Sequence, residues 1–371
     1  MAPGSSTINR KRVVALKKYL LKGNEAIAEA AIKAGCRLFF GYPITPSTEI
    51  IEYMAKHLPA VDGSFVQAES EVSAINMCYG AAGAGVRVMT ASSSPGMSLM
   101  QEGLSYIAAN ELPVVLVNIV RAGPGLGGLG PSQADYFQAT KGGGHGDYRL
   151  IVLAPNSVQE LVDLTRDAFD LADMHRNPVL LIADGILGQM MEPVVFKELE
   201  APSLPDKTWA TTGAEGRPRN IITSYALQNE IGEANCLRWE AKYKNIAATE
   251  QRWEQYMIDD ADYVVVAYGT TARIAKAAVQ QARQEGIKVG LLRPVTLWPF
   301  PVKAFAALGG KVKGYLTVEL SAGQMIEDVR LAINCAVPVH LCNRQGGMVP
   351  SPEEVLARFK EVFPNSVEGG V

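Results

Sequence analysis

From Asn24 to about Asp184 the chain repeatedly alternates a short apolar run with a longer stretch of helical period. That alternation restricts the fold to a parallel sheet with helices on its faces, because only buried parallel strands read as near-continuous apolar runs. The predicted strands are Arg37–Phe40, Ser64–Val66, Val86–Ser92, Pro113–Val120, Leu150–Ala154 and Pro178–Ala183. Between them lie the helical stretches Asn24–Ala34, Pro46–His57, Ser70–Ala84, Ser98–Ala109 and Ser157–Met174. The last opens on Ser157-Val158-Gln159-Glu160, the pattern of a capping box. After Gly185 the rhythm fails. Residues 196–259 mix proline, glycine and charge without a clear strand and read as a linker or an excursion over a partner. The alternation returns from Tyr263 and ends in a helix near Pro352–Phe363, giving a second, smaller α/β domain over 260–371. A chain of 371 residues is long enough for two cores.

Charge and cysteine usage exclude several classes. A net charge of −3 offers no broad basic field for a nucleic-acid backbone, so no nucleic-acid partner is expected. No apolar run approaches the ~20 residues of a membrane span. Val13–Leu16 is too short for a signal-peptide core, and the protein reads as cytoplasmic. Residues 1–22 form a basic extension, either a docking arm or a solvated tail. The five cysteines contain no C-x-x-C pair and the four histidines are scattered, so no metal and no iron–sulfur cluster is expected on this chain alone.

In open α/β sheets ligands collect where strands end and helices begin, which directs attention to three loops. In Tyr42-Pro43-Ile44-Thr45-Pro46-Ser47 the spacing puts Thr45 at an N-cap and Pro46 at the first helical position. Thr45 either caps that helix or holds a small anion beside its free amides. Gln67-Ala68-Glu69-Ser70-Glu71 leads into a helix that is small and apolar on nearly every side and is expected to be enclosed. Glu69 and Glu71 complement the helix dipole there, or one of them enters an apolar crevice, where a carboxylate needs a partner. The third loop, Arg121 to about Asp147, is glycine-rich and too long to be idle in a compact domain. Arg121 ends an apolar strand, where its fork suits either a surface salt bridge or a bound carboxylate. Neither a Walker nor a Rossmann fingerprint is present.

Together these segments resemble the 2-oxoacid:ferredoxin oxidoreductases. Tyr42–Ser47, Gln67–Glu71, Arg121 at a strand end and Gly144-His145-Gly146-Asp147 occur in that family's order. Arg293–Pro301 and Gly323-Gln324-Met325 are similar to its transketolase-C-terminal-like domain. The resemblance implies an alpha-type subunit whose residues 23–195 form the pyrimidine-type domain. It further implies thiamine-dependent oxidative decarboxylation of a 2-oxoacid to acyl-CoA and carbon dioxide, with electrons to ferredoxin, or the reverse. By the same resemblance Glu71 meets the pyrimidine nitrogen of thiamine diphosphate, and Thr45 and Arg121 hold the substrate carboxylate. Tyr42, Pro43, Ile44 and Ser93 contact the cofactor, and Glu69, Lys141, His145 and Asp147 are secondary candidates.

The family's diphosphate–magnesium motif is missing. Its nearest string, Ala183-Asp184-Gly185, lacks the asparagine ending, and no ferredoxin cysteine pattern exists. A beta-type subunit would therefore carry the diphosphate and Mg²⁺. Gamma-type and ferredoxin-like delta-type subunits would carry the [4Fe-4S] clusters, in a dimer of hetero-oligomers that uses coenzyme A. The pyrimidine half of a non-redox thiamine decarboxylase and a regulatory protein that has kept only the fold are the alternatives. Between Arg121 and Lys141 no Lys, Arg or His occurs. With wording closest to the branched-chain members, this loop favours an apolar acid such as 2-oxoisovalerate over 2-oxoglutarate, unless Lys141, His145, Arg149 or a partner supplies the missing charge.

Overall fold

The computed structural model describes residues 17–197 and 202–366. The chain opens with β1 (Lys18–Lys22), α1 (Gly23–Lys33), β2 (Leu38–Gly41), α2 (Thr48–His57), β3 (Ser64–Gln67), α3 (Glu71–Gly83) and β4 (Val88–Ser92). It continues through α4 (Ser94–Leu99), α5 (Gln101–Ala109), β5 (Val115–Val120), α6 (Tyr136–Lys141), β6 (Ile151–Leu153), α7 (Val158–His175), β7 (Val179–Asp184), α8 (Gly185–Gln189) and β8 (Met191–Val195). The stretch predicted as one helix from Ser98 is two, broken at Met100, with the first turn starting at Ser94 ahead of Pro95.

Seven strands form the first sheet in the order β12-β6-β7-β5-β4-β2-β3. Every residue of β4, β5 and β7 is buried, which is why these three read as unbroken apolar runs. The edge strand β3 is mostly exposed. Of the basic extension, residues 1–16 lie outside the described residues. Its end is not a solvated tail: β1 pairs antiparallel with β8, Leu20 opposite Pro193, and Leu21 packs on the cluster of Ala26, Ala30, Val158, Val162 and Val194.

The stretch expected to lack regular structure holds α9 (Asn229–Thr249) and β9 (Trp253–Tyr256). Only Tyr243 and Ile246 of α9 are buried, so its apolar stripe is too thin to stand out in a charged sequence. The second unit adds β10 (Tyr263–Ala267), α10 (Gly269–Gln284), β11 (Val289–Pro294), β12 (Thr296–Trp298), α11 (Val302–Leu308), β13 (Gly314–Glu319), α12 (Met325–Ala332), β14 (Val339–Asn343) and α13 (Pro352–Val362). Its sheet has the order β14-β13-β10-β11-β9, parallel except for β9. β12 leaves this unit and pairs antiparallel with β6, completing the edge of the first sheet.

Arg293, only 3% exposed, rivets the two units. Its guanidinium donates to Glu160 at 2.7 and 3.0 Å and to Glu254 at 2.8 Å. Glu160 is thereby drawn away from the reciprocal capping box: Ser157 Oγ still accepts from Glu160 N, but the carboxylate turns to Asn156 N–H and Arg293. An ion pair of this kind stays favourable because the forked donor meets both oxygens of Glu160 and one of Glu254.

Candidate active site

The carboxyl ends of β2, β4 and β5 and the N-terminus of α3 converge on one crevice. α3 is capped by Ser70, whose Oγ accepts from Ser73 N at 3.3 Å, so the first turn does not need Glu71 as a cap. Glu71 is 5% exposed, and among the described residues no hydrogen bond reaches its carboxylate. It lies against Gly96 of α4, where a Cβ would collide with both Ser92 Oγ and the Glu71 carboxylate. Glycine at 96 is thus a cradle cut for that carboxylate. Ser92 Oγ beside it, and Ser93 Oγ next in the chain, are buried without partners. Two buried hydroxyls left unmatched cost roughly 1–3 kcal/mol each, next to a carboxylate that receives no hydrogen bond from the described residues.

Arg121 stands at the end of β5, 8% exposed. Nη1 donates to Thr45 O at 2.9 Å and Nη2 to Leu126 O at 3.3 Å, while Nε has no partner. Among the described residues no carboxylate pairs with it, so the salt-bridge alternative does not hold. Its charge thus faces only carbonyl oxygens of the chain. Ser94 Oγ lies 3.1 Å from Arg121 N and 3.2 Å from Arg121 O, which links the serine run of β4 to the arginine.

Thr45 is not an N-cap. α2 starts two residues later than expected, with Ser47 before it, and Ser47 N–H and Oγ both bond Ile44 O in the turn. Thr45 is exposed. The turn is held from behind: Asn24 Nδ2 donates to Pro46 O at 2.7 Å and to Glu49 at 2.8 Å, and Gln189 Nε2 reaches the same two groups. Those contacts lower the Glu49 pKa, outweighing its desolvation. Tyr42 and Pro43 are exposed and Ile44 half-buried on the same loop.

The secondary candidates lie apart. Glu69 is exposed and accepts from Ser73 Oγ at 3.2 Å. Lys141 is paired with Asp328 of α12. His145 Nδ1 is 3.2 Å from Ser105 Oγ, its ring edge-on to Tyr106. Asp147 is exposed and lines a groove against α9, with Glu233, Leu237 and Lys244. Asp184 caps α8, accepting from Ile186 N and Leu187 N, and burial raises its pKa.

Sequence reasoning did not find Ser92, Ser94, Gly96 or Gln133. A run of three serines ending an apolar strand ahead of Pro95-Gly96 was the available signal. Asp135 was also missed: Asn118 Nδ2 bonds it at 2.8 Å, and burial raises its pKa. α3 is not enclosed on every side, since Val72, Asn76, Met77 and Gly80 form an exposed face with open space at Gly80. Among the described residues no group of His, Cys, Asp and Glu is arranged to hold a metal, and no helix is long and apolar enough to cross a membrane.

Comparison with known proteins shows the family of the chain. Residues 29–257 match the family described as "Pyruvate flavodoxin/ferredoxin oxidoreductase, thiamine diP-bdg", and residues 261–355 match "Pyruvate:ferredoxin oxidoreductase core domain II". The ketoisovalerate oxidoreductase subunit VorB of Methanothermobacter marburgensis is 52% identical over 94% of this chain and 98% of its own length. The 2-oxoglutarate synthase subunit KorA of Methanothermobacter thermautotrophicus is 38% identical, over 92% and 97%. Among solved structures, 2-oxoglutarate:ferredoxin oxidoreductase from Magnetococcus marinus, with 2-oxoglutarate, coenzyme A and succinyl-CoA bound, superposes with a TM-score of 0.83 at 28% identity. That match covers 93% of this chain and 65% of the solved one. A split-gene transketolase at 12% identity and a TM-score of 0.58 shares the fold alone. The chain therefore belongs to the pyruvate flavodoxin/ferredoxin oxidoreductase family, as a subunit of a 2-oxoacid:ferredoxin oxidoreductase that carries the thiamine diphosphate-binding domain and core domain II.

Proposed function

We propose that this chain supplies the pyrimidine half of a thiamine diphosphate site completed by a partner subunit, in an enzyme that oxidatively decarboxylates a branched-chain 2-oxoacid to acyl-CoA and carbon dioxide. The observation that carries the reading is the pair of unmatched buried charges, Glu71 and Arg121, joined through Ser92–Ser94. Their donor set fits the cofactor: a carboxylate and hydroxyls suit an aminopyrimidine, and a guanidinium suits the carboxylate of the acid. When bound, thiamine diphosphate supplies the nucleophilic carbon and the electron sink. Glu71 holds a proton at the pyrimidine nitrogen and favours the tautomer that acts as a base. Arg121, with Thr45 at the mouth, orients the acid and fixes its carboxylate. Burial of Glu71 and Arg121 strengthens both interactions.

Several features support a shared site. The open face of α3, with Val72 and Met77, lies beside exposed Leu99 and Tyr106, a patch suited to a partner surface. Asp184, in the string nearest to a diphosphate–magnesium motif, is spent on capping α8. Cys36, Cys78 and Cys342 are buried and Cys236 and Cys335 exposed, and burial pushes the Cys342 thiol up to about 11. A beta-type subunit would hold the diphosphate and Mg²⁺, with gamma-type and ferredoxin-like delta-type subunits carrying [4Fe-4S] clusters toward ferredoxin. Coenzyme A would accept the acyl group.

The side-chain preference rests on where the cations are. Lys141 is bound to Asp328, Arg149 donates to the carbonyls of Lys141 and Tyr148, and His145 rests on Ser105. The loop beyond Arg121 instead exposes Leu126 and Leu129. A second substrate carboxylate would be left uncompensated, at a cost of several kcal/mol. The similarity to a ketoisovalerate oxidoreductase subunit points the same way. In the purified complex, kcat/KM for 2-oxoisovalerate is expected to exceed that for 2-oxoglutarate by about tenfold or more, one decade per ~1.4 kcal/mol. A preference for 2-oxoglutarate, measured beside pyruvate under the same conditions, would refute the assignment.

A further inference from the structure

The second sheet has its own topological switch point. α10 runs from β10 to β11 on one side, and α12 runs from β13 to β14 on the other, so the crevice between the carboxyl ends of β10 and β13 is where an open α/β sheet takes a ligand. Here that position is filled by the chain itself. Gln133, 3% exposed, enters from the first domain. Its N–H donates to Leu320 O at 2.9 Å, its Nε2 to Tyr268 O at 2.9 Å, and its Oε1 accepts from Leu320 N at 2.9 Å and Thr271 Oγ1 at 3.3 Å. The amide thus bridges β10 and β13 with donors and acceptors matched. The anion position beside it is filled as well: Glu319, fully buried, accepts from the backbone N–H groups of Gln324, Met325 and Ile326 at the start of α12.

Gln133 lies two residues beyond the strand that returns to Arg121. Arg121 pairs with Pro131 in an antiparallel bridge, Ala122 N donates to Gly130 O, and Gly128 N donates to Ala122 O. Just after Gln133, Gln324 clasps Ala134 O and Phe137 N–H, both at 2.8 Å, and Tyr136 Oη donates to Asp328 at 2.6 Å. The second domain therefore grips the base of the same hairpin that supplies Leu126 O to the Arg121 guanidinium.

We propose that Gln133 is a positioning residue: by plugging the switch-point crevice of the second domain, it makes that domain the clamp that fixes the Arg121 hairpin, and with it the grip on the substrate carboxylate. The crevice is then a receptor for the loop and not a site for a second small molecule. The inference rests on the assignment of Arg121 to the substrate carboxylate.

Two variants test it, Gln133→Leu, which keeps the volume and removes the amide, and Gln324→Ala, which loosens the same segment at a half-buried position. In the full chain, hydrogen exchange over residues 121–131 is expected to speed up by about tenfold or more in both, while β10 and β13 keep their protection. In the assembled complex KM for the 2-oxoacid is expected to rise by about tenfold, kcat to fall less, and thiamine diphosphate affinity to hold, since misplacement of an orienting group by about an ångström has effects of this order. Unchanged exchange over 121–131, or loss of protection throughout the second domain with KM unaltered, would overturn the proposal. If the wild-type complex turned over no 2-oxoacid, the functional reading would fall while the exchange measurement still decided whether Gln133 holds the hairpin.

Discussion

Replacing Glu71 with glutamine is expected to lower kcat of the assembled complex by about 10²–10⁴-fold, the range for loss of a general acid–base group, while the complex still assembles. Glutamine has the size of glutamate, so it fits against Gly96 without displacing Ser92 or the N-terminal turn of α3. What it lacks is the charge that stabilises a protonated pyrimidine nitrogen. Because Ser70 already caps the helix, stability is expected to change little, and a fall in rate with an unchanged Tm separates chemistry from folding. Steady-state rates and cofactor affinity measured on the same preparation decide the matter. Near-normal kcat would remove Glu71 from the chemistry and leave Glu69, which is exposed and bonded to Ser73, as the remaining carboxylate of this segment.

Arg121→Ala is expected to cost about 3–5 kcal/mol of transition-state binding, the penalty for leaving one member of a buried charge pair uncompensated. At about 1.36 kcal/mol per decade this is a loss of ~150-fold or more in kcat/KM. Part of the effect arises from the protein itself, since the guanidinium also ties Thr45 O to Leu126 O across the mouth of the crevice. Arg121→Lys separates the two contributions: it keeps the charge but not the fork, so partial recovery is expected. A change in kcat/KM of less than about tenfold for the alanine variant would be incompatible with a carboxylate bound at this position.

The central strands and most helices of the first domain were legible because burial on both faces leaves an unmistakable apolar run, as in Val115–Val120 and Val179–Asp184. Elements whose stability comes from distant contacts were not. β12 is three residues long, set among Pro294, Pro299 and Pro301, and exists because β6 offers an open edge. β9 is visible only as a partner of β11, and α9 buries just two side chains.

The same distinction holds at the site. Glu71 and Arg121 stood out because a carboxylate and a guanidinium at the ends of apolar elements have no packing role. Ser92 and Gly96 are set by shape and leave only the serine run ahead of Pro95-Gly96 as a mark, while Gln133 pairs with remote backbone and leaves none in its own sequence neighbourhood. The spacing of Thr45 and Pro46 suits a cap because proline at a first helical turn is common, but α2 starts two residues later, and Ser47 satisfies Ile44 O from within the turn. The exposed apolar face of α3, with Val72 and Met77, departs from the expectation of an enclosed helix, because the small apolar residues of its sequence do not show which side the sheet covers.

That half-site character is tested most directly by turnover of a 2-oxoacid with thiamine diphosphate, Mg²⁺, coenzyme A and an electron acceptor, measured for the isolated chain and for the complex with its partner subunits. Turnover is expected only in the complex, and oxidation of any 2-oxoacid by the isolated chain would contradict a shared site.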